Sequence, residues 1–438
     1  MDLQMLLLIS QLLWRDKLRM GKERMILGKD AIFSTDTRET GITNNVVVVG
    51  SSGSGKTVSV IIPKLLETTE SSILCSVSKR RVVDQYAPLF KKRGYTVLDL
   101  NFAEPEKSTI CYDPIQYLTS TEDVAYLSSA LIMSDGRKAN SKADPYWDST
   151  SENLLNAIIC MTLATEEHAT MDDVLRNIDK LRIKSGGSHI ETTLDDIFDV
   201  ICKNDPYGFC AVNWMVFSTL DSTKTASCIL SSLQTMMASI FTTGLRRQIA
   251  KKPCIDIESI GKEKTALFIT CSAMNPALNT FVNIFYAQVF KTLFETAQKM
   301  PDYKLPVRVS MLYDDFAVGG TVKDFDQYSS IIREANMDYC ILIQSETQLI
   351  ERYNDFGAKT ILNNTDTYVL LGCNDYDTAR AVSLRADVPV ETILSMPIGK
   401  EIIFRRGCKP VFTQRYNTYE DERYIAVADK AKSTKRGH

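Results

Sequence analysis

The chain has 438 residues, 44% hydrophobic and 24% charged, and its 51 Lys+Arg against 54 Asp+Glu leave a formal net charge of -3. General disorder is excluded, because that state needs low hydrophobicity with high net charge. A basic nucleic-acid coat protein is excluded too, so any contact with DNA or RNA must use local basic patches or a lined channel.

The length allows about two or three domains. The 11 Cys include no C-x-x-C pair and there are only 3 His, which argues against a zinc site and points to reduced, buried thiols. Met1 to Trp14 is apolar but interrupted by Gln4, Ser10 and Gln11, and basic residues follow at Arg15, Lys17 and Arg19. A secretory signal has the opposite order, and a bilayer crossing needs about 20 apolar residues. Residues 1–25 are therefore expected to form a packed or interfacial helix.

Ile42 to Val49 ends in four valines and reads as a strand buried on both faces. It runs into Gly50-Ser51-Ser52-Gly53-Ser54-Gly55-Lys56-Thr57, and Val58 to Leu66 supplies a following helix. This is the G-x-x-x-x-G-K-[ST] phosphate loop in the strand-loop-helix setting its chemistry requires. The glycines let backbone N–H groups turn toward a β-phosphate, Lys56 brings charge to the β/γ oxygens, and Thr57 offers a hydroxyl to Mg²⁺. Strands at Ser72 to Val77 and Tyr95 to Leu100 flank a helix at Tyr86 to Arg93, and this alternation implies a parallel, doubly wound sheet.

From Tyr117 the periodicity is helical, with no clear strand until the 260s. The reading is a nucleotide-binding domain in two parts, 26–116 and 216–425, interrupted by an all-α domain at 117–215. Strands resume at Lys264 to Thr270, Val307 to Tyr313, Tyr339 to Ile343 and Thr367 to Leu371, then a hairpin pairs Lys400 to Arg406 with Pro410 to Arg415. Residues 426–438 read as a disordered basic tail. Val307 to Tyr313 ends in Asp314-Asp315, at the carboxyl edge where such sheets bind ligands. Asp314 is the expected Mg²⁺ ligand and Asp315 the base that polarises water. Gln344, at the tip of the next strand, is placed to sense the γ-phosphate or orient water.

These residues resemble the TraG/TraD-type coupling proteins of conjugative type IV secretion systems, P-loop motors related to the FtsK and HerA translocases. The likeness runs from about Ile26 to Tyr424. It rests on Gly50 to Thr57, Asp144-Pro145-Tyr146-Trp147, Leu312 to Ala317, Gln344-Ser345-x-x-Gln348-Leu349, Asn364 to Val369, and Met396-Pro397 through Arg406-Gly407 with Lys409-Pro410. The resemblance implies an α/β fold, a RecA-like P-loop nucleotide-binding domain with an inserted all-α domain, that uses ATP and Mg. It further implies a homohexameric motor, cytoplasmic and peripheral at the inner face of the cell membrane. Its partners would be relaxase or relaxosome DNA, single- or double-stranded, effector proteins, and the ATPases and inner-membrane components of the secretion channel.

Departures from the family pattern accompany these matches. No span of about 20 apolar residues precedes the phosphate loop, so the anchor is expected to be lost, truncated or supplied by a separate membrane protein. Val77-Ser78-Lys79-Arg80-Arg81 stands where the family has D-P-K-G-E, Asp315 replaces Glu, and Ala335 stands where a second arginine would follow Arg333. Two alternatives to a motor follow: a nucleotide-binding substrate adaptor with little hydrolysis, and a HerA-like DNA translocase. For a DNA path the candidate patches are Lys79-Arg80-Arg81, Lys91-Lys92-Arg93, and Arg246-Arg247 with Lys251-Lys252.

Overall fold

The computed structural model describes residues 23–132, 145–184, 190–271, 276–316 and 322–436. Most of the helix expected at 1–25 lies outside them, but Arg24 and Met25 already belong to a strand. That strand, β1 (Arg24–Gly28), pairs antiparallel with β2 (Ala31–Ser34). Next come β3 (Val46–Val49), β4 (Ser72–Val77), β5 (Thr96–Asn101), and the two-residue partners β6 (Ile183–Lys184) and β7 (Glu191–Thr192). The chain continues with β8 (Thr265–Thr270), β9 (Val309–Tyr313), β10 (Met337–Ile343), β11 (Thr367–Leu370), β12 (Lys400–Arg405) and β13 (Val411–Gln414).

Nine of these strands form one sheet in the order β13-β12-β11-β3-β10-β9-β4-β8-β5. From β11 through β8 the neighbours run parallel, and β12 and β13 close the sheet antiparallel. Val46 to Val49, Ser72 to Val77 and Met337 to Ile343 are buried throughout, as parallel strands covered on both faces must be. The parallel register brings the carboxyl ends of β3, β4, β9, β10 and β11 to one edge. Residues 50, 79, 314, 344 and 372 follow those ends.

The chain forms two compact units. One holds Met1–Leu98, Asp256–Thr270 and Leu293–His438, and the other Asp99–Ile255 and Cys271–Thr292. The second is mainly helical and extends beyond 117–215 on both sides, beginning at Asp99 and taking in the later helices Thr223–Ile240 and Thr243–Ile249. Within it Phe198 stacks on Trp214 at 3.7 Å between ring centroids. The reduced-thiol reading fails there for one pair: Cys111 and Cys254 form a disulfide. Cys111 donates to the Pro253 carbonyl at 3.0 Å and accepts from the Ile255 amide at 2.9 Å. That bridge sets the two Cα atoms 4.3 Å apart, a proximity that their spacing in sequence does not encode.

The disordered tail is a second correction. A helix spans Glu422–Arg436, with Tyr424 and Val427 packed on the sheet's core. Arg423 anchors its start, paired with Asp421 at 2.7 Å and Glu67 at 2.5 Å. Two apolar residues and a paired arginine suffice to dock a segment whose composition reads as solvated. Among the described residues no single helix is long and apolar enough to cross a membrane.

Candidate nucleotide-binding site

The phosphate loop hangs from β3 and is held at its start by two neighbours. Gly50 donates its amide to the Ile343 carbonyl at 3.1 Å, and Ser51 donates to Gly372 at 3.3 Å. Gly53 and Gly55 take φ values of 76° and 82°, left-handed conformations that glycine adopts without steric cost and that turn successive N–H groups toward an anion. Gly50 answers a different need, since a Cβ there would lie 2.5 Å from Ser54 Oγ. The Lys56 ammonium is buried and donates to the carbonyls of Gly50 at 2.6 Å and Ser51 at 3.3 Å.

The acid strand reaches the same place. Asp314 follows β9, its amide bound to the Ser76 carbonyl at 3.1 Å, and the Thr57 hydroxyl lies 2.9 Å from both of its carboxylate oxygens. Asp315 sits in the left-handed region at φ 56°, which a short polar side chain tolerates better than most. Burial and the neighbouring Asp315 raise the Asp314 carboxyl to about 6, against Thr57, Lys56 and Lys79. Burial pushes the Lys56 ammonium down, opposed by Asp315 and Asp314. A hydroxyl and two close carboxylates form the all-oxygen donor set that Mg²⁺ selects, and a divalent cation would offset the acid pair's repulsion. The residues present therefore fit that ion.

Gln344 follows β10 directly across from Gly50 in the parallel register, because Ile343 pairs with Val49. Its side chain is exposed, and its amide donates to Gln348 Oε1 at 3.0 Å. Ser345 caps the next helix (Glu346–Asn363), its hydroxyl accepting from the Gln348 amide at 3.2 Å. The Q-S-x-x-Q-L segment is thus largely a helix start capped by Ser345, with Leu349 buried beneath it. Of the expected site residues, Gly50 to Thr57, Asp314, Asp315 and Gln344 share one edge of the sheet.

Arg333 does not join them. It lies before β10, at the amino edge, with Nη2 3.4 Å from the Gly41 carbonyl, and Ala335 is buried. Sequence reasoning also missed Arg415. The antiparallel course of β12 and β13 returns the chain to the carboxyl edge. There Arg415 donates Nη1 to the Ser54 carbonyl of the loop and Nη2 to the Leu371 carbonyl at 2.5 Å. Two reversals of direction after β11 are the signal that would have placed it.

Several basic patches have structural duties. Arg93 donates to the carbonyls of Leu65 at 3.1 Å, Leu66 at 2.7 Å and Thr68, closing the helix that follows the loop. Arg246 pairs with Asp172 and Arg247 with Glu106, both at 2.7 Å, while Lys251 binds the Glu106 and Ser108 carbonyls. Lys79, Lys91 and Lys92 are exposed. Tyr146 and Trp147 are partly exposed, and Asp144 lies outside the described residues.

The family model described as type IV secretory system conjugative DNA transfer matches residues 7–386. The chain belongs to that family. Among curated relatives, the type IV secretion system-coupling protein VirD4 of Bartonella quintana is 23% identical over 368 residues, 82% of this chain and 55% of its own length. The chain spans about half the length of the curated relatives it matches. Among solved structures, the unbound monoclinic form of the bacterial conjugative coupling protein TrwBdeltaN70 superposes with a TM-score of 0.65 at 16% identity, covering 91% of this chain and 90% of that one. The plasmid coupling protein TrwB in complex with the non-hydrolysable ATP analogue ADPNP superposes at 0.60, also at 16% identity, over 85% of each. These likenesses establish the RecA-like P-loop fold for this member of the family.

Proposed function

We propose that this chain binds ATP with Mg²⁺ at the carboxyl edge of its sheet and hydrolyses it to drive substrates toward a type IV secretion channel. The contact of Thr57 with both oxygens of Asp314 carries this reading, because it joins the phosphate loop to the acid strand at the point where a metal ion would be shared. TrwB, whose fold this chain has, is known in complex with ADP and Mg²⁺.

Backbone N–H groups of the loop would hold the β-phosphate, and Lys56 would leave the Gly50 and Ser51 carbonyls to meet the β/γ oxygens. Thr57 and Asp314 would hold the ion, which when bound polarises phosphoryl oxygens as a Lewis acid. Asp315 would accept a proton from the attacking water, and Gln344 would orient that water. Asp315 is one methylene shorter than glutamate, and a misplacement of about 1 Å costs on the order of a hundredfold in rate.

The cargo in this reading is relaxase-bound DNA or an effector protein. The working form is a homohexamer peripheral at the inner face of the membrane, anchored by a membrane segment or a partner protein. An adaptor that binds ATP without turning it over is the second reading, favoured by Asp315 in place of glutamate, by Ala335 where a second arginine would follow Arg333, and by the loss of both acids after β4.

ATPase rate with and without single-stranded DNA, for wild type, Lys56→Ala and Asp315→Glu, decides between the two. The motor predicts DNA-stimulated turnover that Lys56→Ala abolishes. Wild-type turnover no faster than the Lys56→Ala control under every DNA condition would sink it and leave the adaptor.

A further inference from the structure

The Arg415 guanidinium spans two main-chain carbonyls, one from the phosphate loop at Ser54 and one from the tip of β11 at Leu371. Its own amide is fixed to the Gly399 carbonyl at 2.9 Å. The loop is thereby pinned from outside through one of its carbonyls. Among the described residues the buried Nε has no hydrogen-bond partner. Burial works against the charge on this guanidinium, yet arginine stays protonated in proteins.

Thr413, two residues before Arg415, pairs with Glu401 of β12, which is 1% exposed and has neither carboxyl oxygen hydrogen-bonded among the described residues. The carboxyl is wedged against Gly28 of β1, where a Cβ would fall 2.2 Å from Oε1 and 2.8 Å from the Thr413 methyl of β13. Gly28 and Thr413 do not titrate, and Arg415 is the charged group acting on the carboxyl.

We propose that Arg415 is a positioning residue for nucleotide phosphates, holding the phosphate loop in its binding shape, and that the buried Glu401 carboxyl controls this hold by whether it carries a proton. The inference rests on the nucleotide reading of the loop. Burial raises the Glu401 carboxyl to about 8, with Arg415 opposing. A carboxyl whose folded value is raised keeps its proton at neutral pH and loses it as pH rises through that value. While neutral, it leaves the guanidinium to its two carbonyls. Once ionised and unsolvated, it draws the guanidinium toward itself, and the Ser54 carbonyl is released.

Titration of the full chain with a fluorescent ATP analogue and Mg²⁺, from pH about 6.5 to 9.5, tests this. Wild-type affinity is expected to fall on the order of tenfold across an inflection near pH 8, the loss of one charge-assisted hydrogen bond. Glu401→Gln, isosteric with the neutral carboxyl, is expected to lack the inflection. Arg415→Ala is expected to weaken binding at pH about 7 by on the order of tenfold, and Arg415→Lys to recover little of it, since one ammonium cannot span both carbonyls. An unchanged inflection in Glu401→Gln overturns the proposal, as does wild-type affinity in a folded Arg415→Ala. Wild-type binding that Lys56→Ala abolishes but that is flat with pH overturns this inference alone. Absence of wild-type binding at every pH overturns it together with the nucleotide reading.

Discussion

The two edges of the nine-stranded sheet treat charge in opposite ways. At the amino edge, Glu23 accepts the amides of Thr69, Glu70 and Ser71, each at 2.8 Å, and pairs with Arg308. Arg308 also donates to Ser71 Oγ and the Thr35 carbonyl at 2.9 Å and lies 3.6 Å from Asp338, which Lys64 approaches at 3.8 Å. At the carboxyl edge the balance fails. Asp314 and Asp315 repel, Lys56 and Arg415 rest on neutral carbonyls, and among the described residues the Glu401 oxygens have no hydrogen-bond partner. Buried charge that finds its counter-charge within the chain holds the chain together; buried charge left short of one is placed for a ligand that supplies it.

The sharpest way to break that contrast is to remove Glu23. Glu23→Ala leaves Arg308 buried without its carboxylate and strips an acceptor from three amides, and the expected loss is about 3–5 kcal/mol. Chemical denaturation would measure it, and a loss of only a few tenths would contradict the matched-edge account. The same carboxylate should mark the acid limb of stability. Although burial alone would raise it, Arg308 and Ser71 hold it at about 2, so its contribution is present above pH about 4.5 and is lost as pH falls toward 2.

Lys56→Ala should do the reverse. Burial already works against this ammonium, so its removal relieves a desolvation cost, and thermal stability should hold or rise. Nucleotide affinity should fall on the order of a hundredfold, with the charge-assisted contacts to phosphate gone. Calorimetric melting beside nucleotide titration checks both halves, and a large drop in melting temperature would make Lys56 a structural residue.

How much of this is readable in the chain follows from the same division. The four valines, the phosphate loop and the acid strand are local patterns whose spacing carries their geometry, and β3, β4, β8, β9, β10 and β11 fall close to where apolar runs place them. Arg415 is 358 positions beyond Thr57 in the chain and meets Ser54 only because β12 and β13 reverse direction twice. Cys111 and Cys254, 143 residues apart, meet across a backbone bridge that no spacing rule anticipates. Arg93 looks like part of a basic patch, but three carbonyls take its guanidinium. Composition identifies charges and cannot say which are already matched within the fold.

The smallest expected effect draws the contrast inside one motif. Gln344 and Gln348 belong to the same Q-S-x-x-Q-L segment, yet Gln348 Oε1 accepts the Gln344 amide at 3.0 Å while the Gln344 side chain faces outward beside the phosphate loop. Gln348→Ala removes one arm of a helix start and should cost about 1 kcal/mol. Gln344→Ala breaks no side-chain hydrogen bond among the described residues and should change stability by less than about 0.5 kcal/mol, while slowing hydrolysis by about tenfold or more if it orients water. Denaturation curves and ATPase rates on the two variants separate the roles. Should Gln344→Ala destabilise as much as Gln348→Ala and leave turnover intact, the whole segment would belong to the helix start, and the chemistry would need another group to place its water.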